Sequence, residues 1–255
     1  MEVQLMEEPK VIDCFCAWCD LLGYSTIFKD AKWNLHDKSC YANFERIKNV
    51  NRLLKNPFTS GKTLLLNDGV IKTFDAENDP NHDITKIVNF LMQFVKGFDD
   101  INEKDKIGDS YGIRGVFTYG QRYEYTEYNF MTTDREINVY FPREFQMNTA
   151  FSKANIIEES GSEYDVKGSF LYFDSFALEA IKEIANKSDS HDVKEYKEDG
   201  YYCFSIIRIT NPMITLKFEE NCIPYNNEAI ETTLYKLLDY DLDEAIKSSH
   251  KRYII

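Results

Sequence analysis

Two aspartates stand where a carboxylate is costly or conspicuous. Asp20 ends the largely apolar run VIDCFCAWC, which starts at Val11, and Leu21-Leu22-Gly23-Tyr24-Ser25 follows it directly. Asp68 is the middle residue of Asn67-Asp68-Gly69, between the β-like runs KTLLL and VIKTF. A carboxylate at the end of a buried strand is unfavourable unless a cation or several donors occupy the bend beyond it. If the two come to one end of a sheet they repel each other unless they share a divalent ion, and hard oxygen ligands suit magnesium or manganese. Taken singly, each has a plain reading as a residue bonding its own turn. A rival signal in the same stretch, Cys16-Ala17-Trp18-Cys19, has the spacing of a zinc or redox pair. It lacks a second matching pair among the four scattered histidines, and on a strand positions 16 and 19 point to opposite faces. Core thiols are the expectation.

The elements that must position the aspartates follow from patterning. Residues 10 to 20 are too short and too β-prone for a helix and predict a central strand ending near Asp20. From Asp37 to Lys55, apolar residues recur at helical spacing behind an aspartate cap, and the same holds from Asp83 to Phe98. Asn67-Asp68-Gly69 predicts a hairpin, which puts a carboxylate at its tip. Further strands are expected at GIRGVFTYGQRYEY, REINVYF, SFLYFD, YYCFSIIRI and ITLKF, and further helices at MNTAFSKANIIEES and SFALEAIKEIAN. The segment from Asn227 to Lys251 reads as a long helix suited to packing or dimerisation. With no repeat and no long linker, residues 1–255 predict a single α+β domain: a largely antiparallel sheet covered by helices, with additions after a core of about 10–175.

Composition excludes several classes. A net charge of −13 disfavours a surface that tracks nucleic acid, because such binding draws its affinity from lysine and arginine meeting phosphates. It does not exclude a small anionic ligand held by local cations or bound metal. No window is long and apolar enough to span a bilayer, and MEVQLMEEPK resembles no secretion leader. A soluble cytoplasmic protein with reduced thiols is expected.

Four stretches, CDLLGYSTIF, NDGVIKTF, GIRGVFTYGQRYEY and MNTAFSKANIIEESGS, in this order and at these spacings, resemble the class III nucleotide cyclases, and within them the bacterial pyrimidine cyclases of the Pycsar anti-phage defence system. The likeness spans about residues 10 to 175 and implies a ferredoxin-like βαββαβ core. It also implies that Asp20 and Asp68 bridge two manganese or magnesium ions, with the Leu21 carbonyl as a further ligand. Leu22, Gly23, Tyr24 and Ser25 would offer backbone N–H groups to a triphosphate. In such enzymes the substrate's ribose 3′-oxygen attacks its own α-phosphate, so catalysis is positioning and charge stabilisation.

Purine cyclases of this class commonly carry a lysine six residues before the second metal aspartate, an aspartate seven before the asparagine of the dimer-face helix, and an arginine four after it. Here those positions are Lys62, Phe141 and Ser152 about Asn148. Lys62 is retained and the adenine-reading carboxylate is replaced by Phe141, which implies a pyrimidine triphosphate, UTP or CTP, with UTP the preferred reading. The missing arginine leaves Lys153, Arg122 or Arg114 to supply the cation. Aromatic residues near these motifs, Tyr24, Trp33, Tyr119, Tyr123 and Phe141, would suit a pocket for a small base. The resemblance further implies a homodimer in which Asn148 acts across the interface from Asp20 and Asp68, and a product read by a separate effector protein. A cytidylate cyclase, a purine cyclase and a non-catalytic nucleotide-binding domain are the alternatives.

Overall fold

In the computed structural model, which describes residues 9–54, 61–124, 142–209 and 211–243, the run Lys10–Leu21 forms strand β1 at the centre of the functional half of the sheet. Its alternation serves two cores. Phe15, Ala17, Cys19 and Leu21 enter the larger one, while Cys14 and Cys16 enter a smaller one on the opposite face. Such two-sided burial is what makes the run read as nearly continuous apolar sequence. Helices α1 (Tyr24–Asp30) and α2 (Cys40–Leu54) follow, then the hairpin of β2 (Lys62–Leu66) and β3 (Gly69–Asp75), helix α3 (Pro80–Ile107) and strand β4 (Ile113–Glu124). These pair in the order β2-β3-β1-β4, all antiparallel. This is the expected βαββαβ arrangement.

Helix α4 (Thr149–Ser160) leads to β5 (Leu171–Asp174), which joins β4 in parallel, and α5 (Ser175–Lys187) follows. Strands β6 (His191–Glu198), β7 (Tyr201–Arg208), β8 (Asn211–Glu219), β9 (Ile223–Asn226) and β10 (Glu231–Leu242) extend the sheet to ten strands in one antiparallel run beyond β5. Residues of α2, α3 and α5 bury their apolar faces on the larger core, and α4 covers the other face through Ala150, Ala154 and Ile157. No helix of the described residues is long and apolar enough to cross a membrane.

The main departure from expectation is the C-terminal segment, which is strand rather than helix as far as Leu242. Thr232 and Leu234 alternate as a strand requires, while Leu237 enters the larger core on the face opposite Leu234. Burial on both faces places buried leucines three residues apart, and that spacing imitates a helix. Pairing with β5, β8 and β9 decides the outcome. Helix α3 also starts earlier than expected: Asp79, not Asp83, caps it by accepting from the His82 N–H. The buried Asp83 instead accepts from the Glu77 N–H. The strand expected at REINVYF lies outside the described residues.

Candidate active site

Asp20 and Asp68 meet because β1 and the β2–β3 hairpin are neighbours. Asp20 pairs with Gly69 in the β1–β3 ladder, and the Leu21 N–H donates to the Asp68 carbonyl at 3.1 Å. Asp20 is half-buried, and burial first, then the charges of Glu158 and Asp68, push its carboxyl up to about 7, while Arg114 and Arg46 pull the other way. Carboxylates of Glu158 and Asp68 and guanidiniums of Arg114 and Arg46 thus all act on Asp20 at this sheet end. Asn67 caps the arrangement, donating from Nδ2 to Asp68 Oδ1 at 3.2 Å. The hairpin's Gly69 has a reason unrelated to turn formation: a Cβ there would stand 1.9 Å from the Trp18 ring.

Beyond Asp20 the chain bends as the sequence suggested. Gly23, at φ 72°, is the N-cap of α1, in the left-handed region glycine favours. The Tyr111 ring lies against it, so that a Cβ would come within 2.3 Å. Two α2 side chains hold this bend from behind. Asn43 donates to the Tyr24 carbonyl at 2.8 Å, and Arg46 Nη2 donates to the carbonyls of Leu22 at 3.1 Å and Gly112 at 3.0 Å. The Arg46 guanidinium is itself paired with the buried Asp105 at 2.7 Å. Sequence reasoning missed Asn43, Arg46 and Asp105. A buried-facing arginine three positions after a buried-facing asparagine on an otherwise amphipathic helix is the signal that was available.

Of the remaining predicted residues, Asn148 and Arg122 lie at the other end of the same sheet, and Lys62 and Lys153 part-way along it. Asn148 caps α4 by accepting from the Phe151 N–H at 2.9 Å, bridges to Arg122 and donates to the Glu144 carbonyl. Its Oδ1 also accepts from the Cys14 thiol. Lys62 is exposed, 3.9 Å from Glu144. Arg122 is committed to Asp75 through bonds of 2.8 and 2.7 Å, and Lys153 lies 3.8 Å from the buried Asp174. Cys14 is six residues from Asp20 along β1, so the two ends are about 20 Å apart at the rise of an extended strand. Helix α4 spans that length: Asn148 starts it, and Glu158 near its end meets Arg114, the residue opposite Asp20. Arg114 is thus at the aspartate end but engaged by Glu158. The aromatics divide likewise, with Tyr24 and Trp33 beside the bend and Tyr119 and Tyr123 at the far end of β4. Phe141 lies outside the described residues.

Cys16 and Cys19 are both buried and unpaired on opposite faces of β1, and burial raises both thiols well above their ordinary range. They are core residues rather than a redox or zinc pair. The aspartate end, by contrast, fits a divalent cation. Asp20 and Asp68 are hard oxygen donors whose mutual repulsion a cation would relieve. Among the described residues no three acidic, histidine or cysteine side chains form a chelating group, so backbone carbonyls and a ligand's own oxygens would have to complete the shell.

No family model and no curated protein matches the chain. Solved structures with similar backbones include the guanylyl cyclase Cya2, at 12% identity and TM-score 0.44 over 90% of this chain and 93% of that one. Another is the adenylyl cyclase CyaB from P. aeruginosa, at 10% identity and TM-score 0.41 over 91% and 97%. A third is the guanylate cyclase domain of RhGC from Catenaria anguillulae in complex with GTP, at 12% identity and TM-score 0.45 over 91% and 100%.

Proposed function

We propose that this chain is a nucleotide cyclase that joins the ribose 3′-oxygen of a nucleoside triphosphate to its own α-phosphorus. The O3′–Pα bond forms, the bond from Pα to the bridging oxygen breaks, pyrophosphate leaves, and the hydroxyl proton passes to solvent. The observation that carries this reading is the convergence of Asp20 and Asp68 at one sheet end, beside a glycine bend. Manganese or magnesium bound by Asp20, Asp68 and the Leu21 carbonyl would supply phosphate polarisation and an acidified 3′-hydroxyl. Leu22, Gly23, Tyr24 and Ser25 shape the bend that receives the phosphates, and Arg46 keeps that bend in place.

The distance of about 20 Å between the two ends supports a two-fold dimer. Within one chain Asn148 lies about 20 Å from Asp20 and Lys62 is paired through β3 at the level of Cys16, whereas a second chain related by a two-fold axis can present Asn148, Lys62 and Lys153 at Asp20, generating two equivalent sites. Lys153 is the better candidate for the missing cation, because its contact with Asp174 is longer than the paired bonds that hold Arg122 to Asp75. The substrate in this reading is a pyrimidine triphosphate, UTP before CTP, since Phe141 replaces a purine-reading carboxylate. The product, 3′,5′-cyclic UMP, would act as a second messenger on a separate effector in anti-phage defence.

The test is incubation of the purified chain with each of the four ribonucleoside triphosphates and manganese, with products read by mass spectrometry. Cyclic UMP and pyrophosphate are expected. Dominant cyclic AMP or cyclic GMP would overturn the pyrimidine assignment, and no cyclic product from any of the four would overturn the enzyme.

A further inference from the structure

The turn that leads into α4 is held more firmly than a surface loop requires. Arg143–Phe145 is a single 3₁₀ turn in which the Phe145 N–H donates to the Pro142 carbonyl at 3.0 Å, and the Phe145 ring is buried in the smaller core with Cys14 and Ile71. Asn148, only 2% exposed, anchors it from within: Nδ2 donates to the Glu144 carbonyl at 3.0 Å and to the Thr73 hydroxyl at 3.5 Å. Thr73 is paired with Lys62 in the β2–β3 ladder. One buried amide therefore ties the strand pair that carries Lys62 to the turn that carries Glu144. Between Glu144 and Asn148 the chain passes through Met147 in the left-handed region, at φ 47°. A residue with a Cβ adopts that form at a cost that the surrounding structure must offset.

The side chains that this scaffold presents are open to a ligand. Those of Lys62 and Glu144 are 60% and 35% exposed, and the ammonium and carboxylate stand 3.9 Å apart, beyond hydrogen-bond distance. As a surface salt bridge such a pair contributes little to stability. As a recognition edge it sets one donor beside one acceptor, on side chains that can close on a ligand while their backbones stay fixed. Glu144 also comes three residues after Phe141, the position at which the resemblance loses its base-reading carboxylate.

We propose that Lys62 and Glu144 read the base of a triphosphate bound at the other chain's Asp20 and Asp68. Uracil has a carbonyl acceptor next to an N–H donor, so Lys62 donates to its O4 and Glu144 accepts from its N3–H. The inference rests on the cyclase reading and deepens it. It keeps base recognition on the chain that carries Asn148, and supplies from position 144 the carboxylate that position 141 lacks. With the acceptor moved along the turn, the edge presented to the base differs from the one a carboxylate at 141 would form.

The experiment is calorimetric titration of the full chain, with manganese, by three ligands: UTP, N3-methyl-UTP, which lacks the proton assigned to Glu144, and inorganic tripolyphosphate, which has no base. Glu144→Ala is a suitable variant because Asn148 holds the backbone carbonyl of this residue and not its side chain. It is expected to weaken UTP binding about tenfold, the scale of one lost hydrogen bond to a charged group, and to leave tripolyphosphate binding unchanged. The wild-type chain is expected to bind N3-methyl-UTP about tenfold more weakly than UTP, and Glu144→Ala to bind the two alike, because the coupling between the two changes isolates the contact. Lys62→Met should likewise weaken UTP and spare tripolyphosphate. Unchanged UTP affinity in Glu144→Ala, with cyclic UMP still formed, would overturn the base reader while the cyclase reading stands. An equal loss for UTP and tripolyphosphate would assign Glu144 to the shape of the site as a whole and overturn the proposal as well. Failure of the wild-type chain to bind either UTP or tripolyphosphate would overturn both together.

Discussion

Replacing Arg46 with methionine separates the role of the bend from the stability of the fold. The Arg46 and Asp105 side chains are 6% and 3% exposed, and the guanidinium holds Asp105, the Leu22 carbonyl and the Gly112 carbonyl at once. Methionine preserves most of the volume but strands the Asp105 carboxylate, and breaking a buried pair from one side costs about 3–5 kcal/mol. The Gly112 carbonyl keeps its bond from the Leu22 N–H, so only the Leu22 carbonyl is newly unsatisfied, which adds about 1 kcal/mol. For a chain of this size such a loss lowers Tm by about 10 °C. Arg46→Met/Asp105→Leu removes both charges and is expected to regain most of that stability, since an apolar replacement of a whole buried pair is often neutral. It does not restore a donor to the Leu22 carbonyl. Thermal unfolding followed by circular dichroism, together with kcat/KM for cyclisation, checks both halves. Stability recovers in the double variant while kcat/KM stays down at least about tenfold, equivalent to about 1.4 kcal/mol of barrier. A double variant that recovers full activity along with its stability would refute the claim that Arg46 positions the bend. A single variant that loses less than about 1 kcal/mol would refute the pair itself, since one-sided removal should cost several times that.

Mixing Asp20→Ala with Asn148→Ser chains under conditions of subunit exchange should restore activity, because each heterodimer has one intact site; serine keeps the cap on α4. Exchange demonstrated without recovery would show that sites are built within one chain. A pH effect comes from Asp174, whose carboxyl burial pushes from 3.8 up to about 7, with Lys153 and the N–H groups of Ala177 and Tyr119 acting against it. The folded chain then binds a proton that the unfolded chain has lost, so this residue's contribution falls as pH rises from about 4 to about 7 and is level above that. At about 1.4 kcal/mol per pH unit the ceiling is about 4 kcal/mol. Asp174→Asn keeps the acceptor for Ala177 and should flatten the fall in urea midpoint over that range; an unaltered slope would exclude the residue as its source.

Local pattern was enough to read β1, the Asn67-Asp68-Gly69 hairpin, and helices α2, α3, α4 and α5 in the sequence, because each states its own period or turn within a few residues. The glycine bend after Asp20 was legible for the same reason. Strand β10 was read as helix, since burial on both of its faces made the spacing of its apolar residues look helical. The resemblance already set Asn148 on a different chain from Asp20 and Asp68, and the structure puts Asn148 beside Cys14, six residues along β1 from Asp20.

What the amino-acid sequence by itself determined about this protein is the α+β layering around an antiparallel βαββαβ unit and the placement of Asp20 near a strand end and Asp68 in a hairpin turn, both consequences of short-range patterning. Only the tertiary structure decided what surrounds them. Arg46 reaches Asp105 from 59 positions away, Trp18 dictates a glycine at 69, Glu158 is brought towards Asp20 by the length of α4, and Arg122 and Lys153 find carboxylates of their own. Buried charges must be matched wherever the fold brings them together, and that matching joins residues remote in the chain, so no local window contains it.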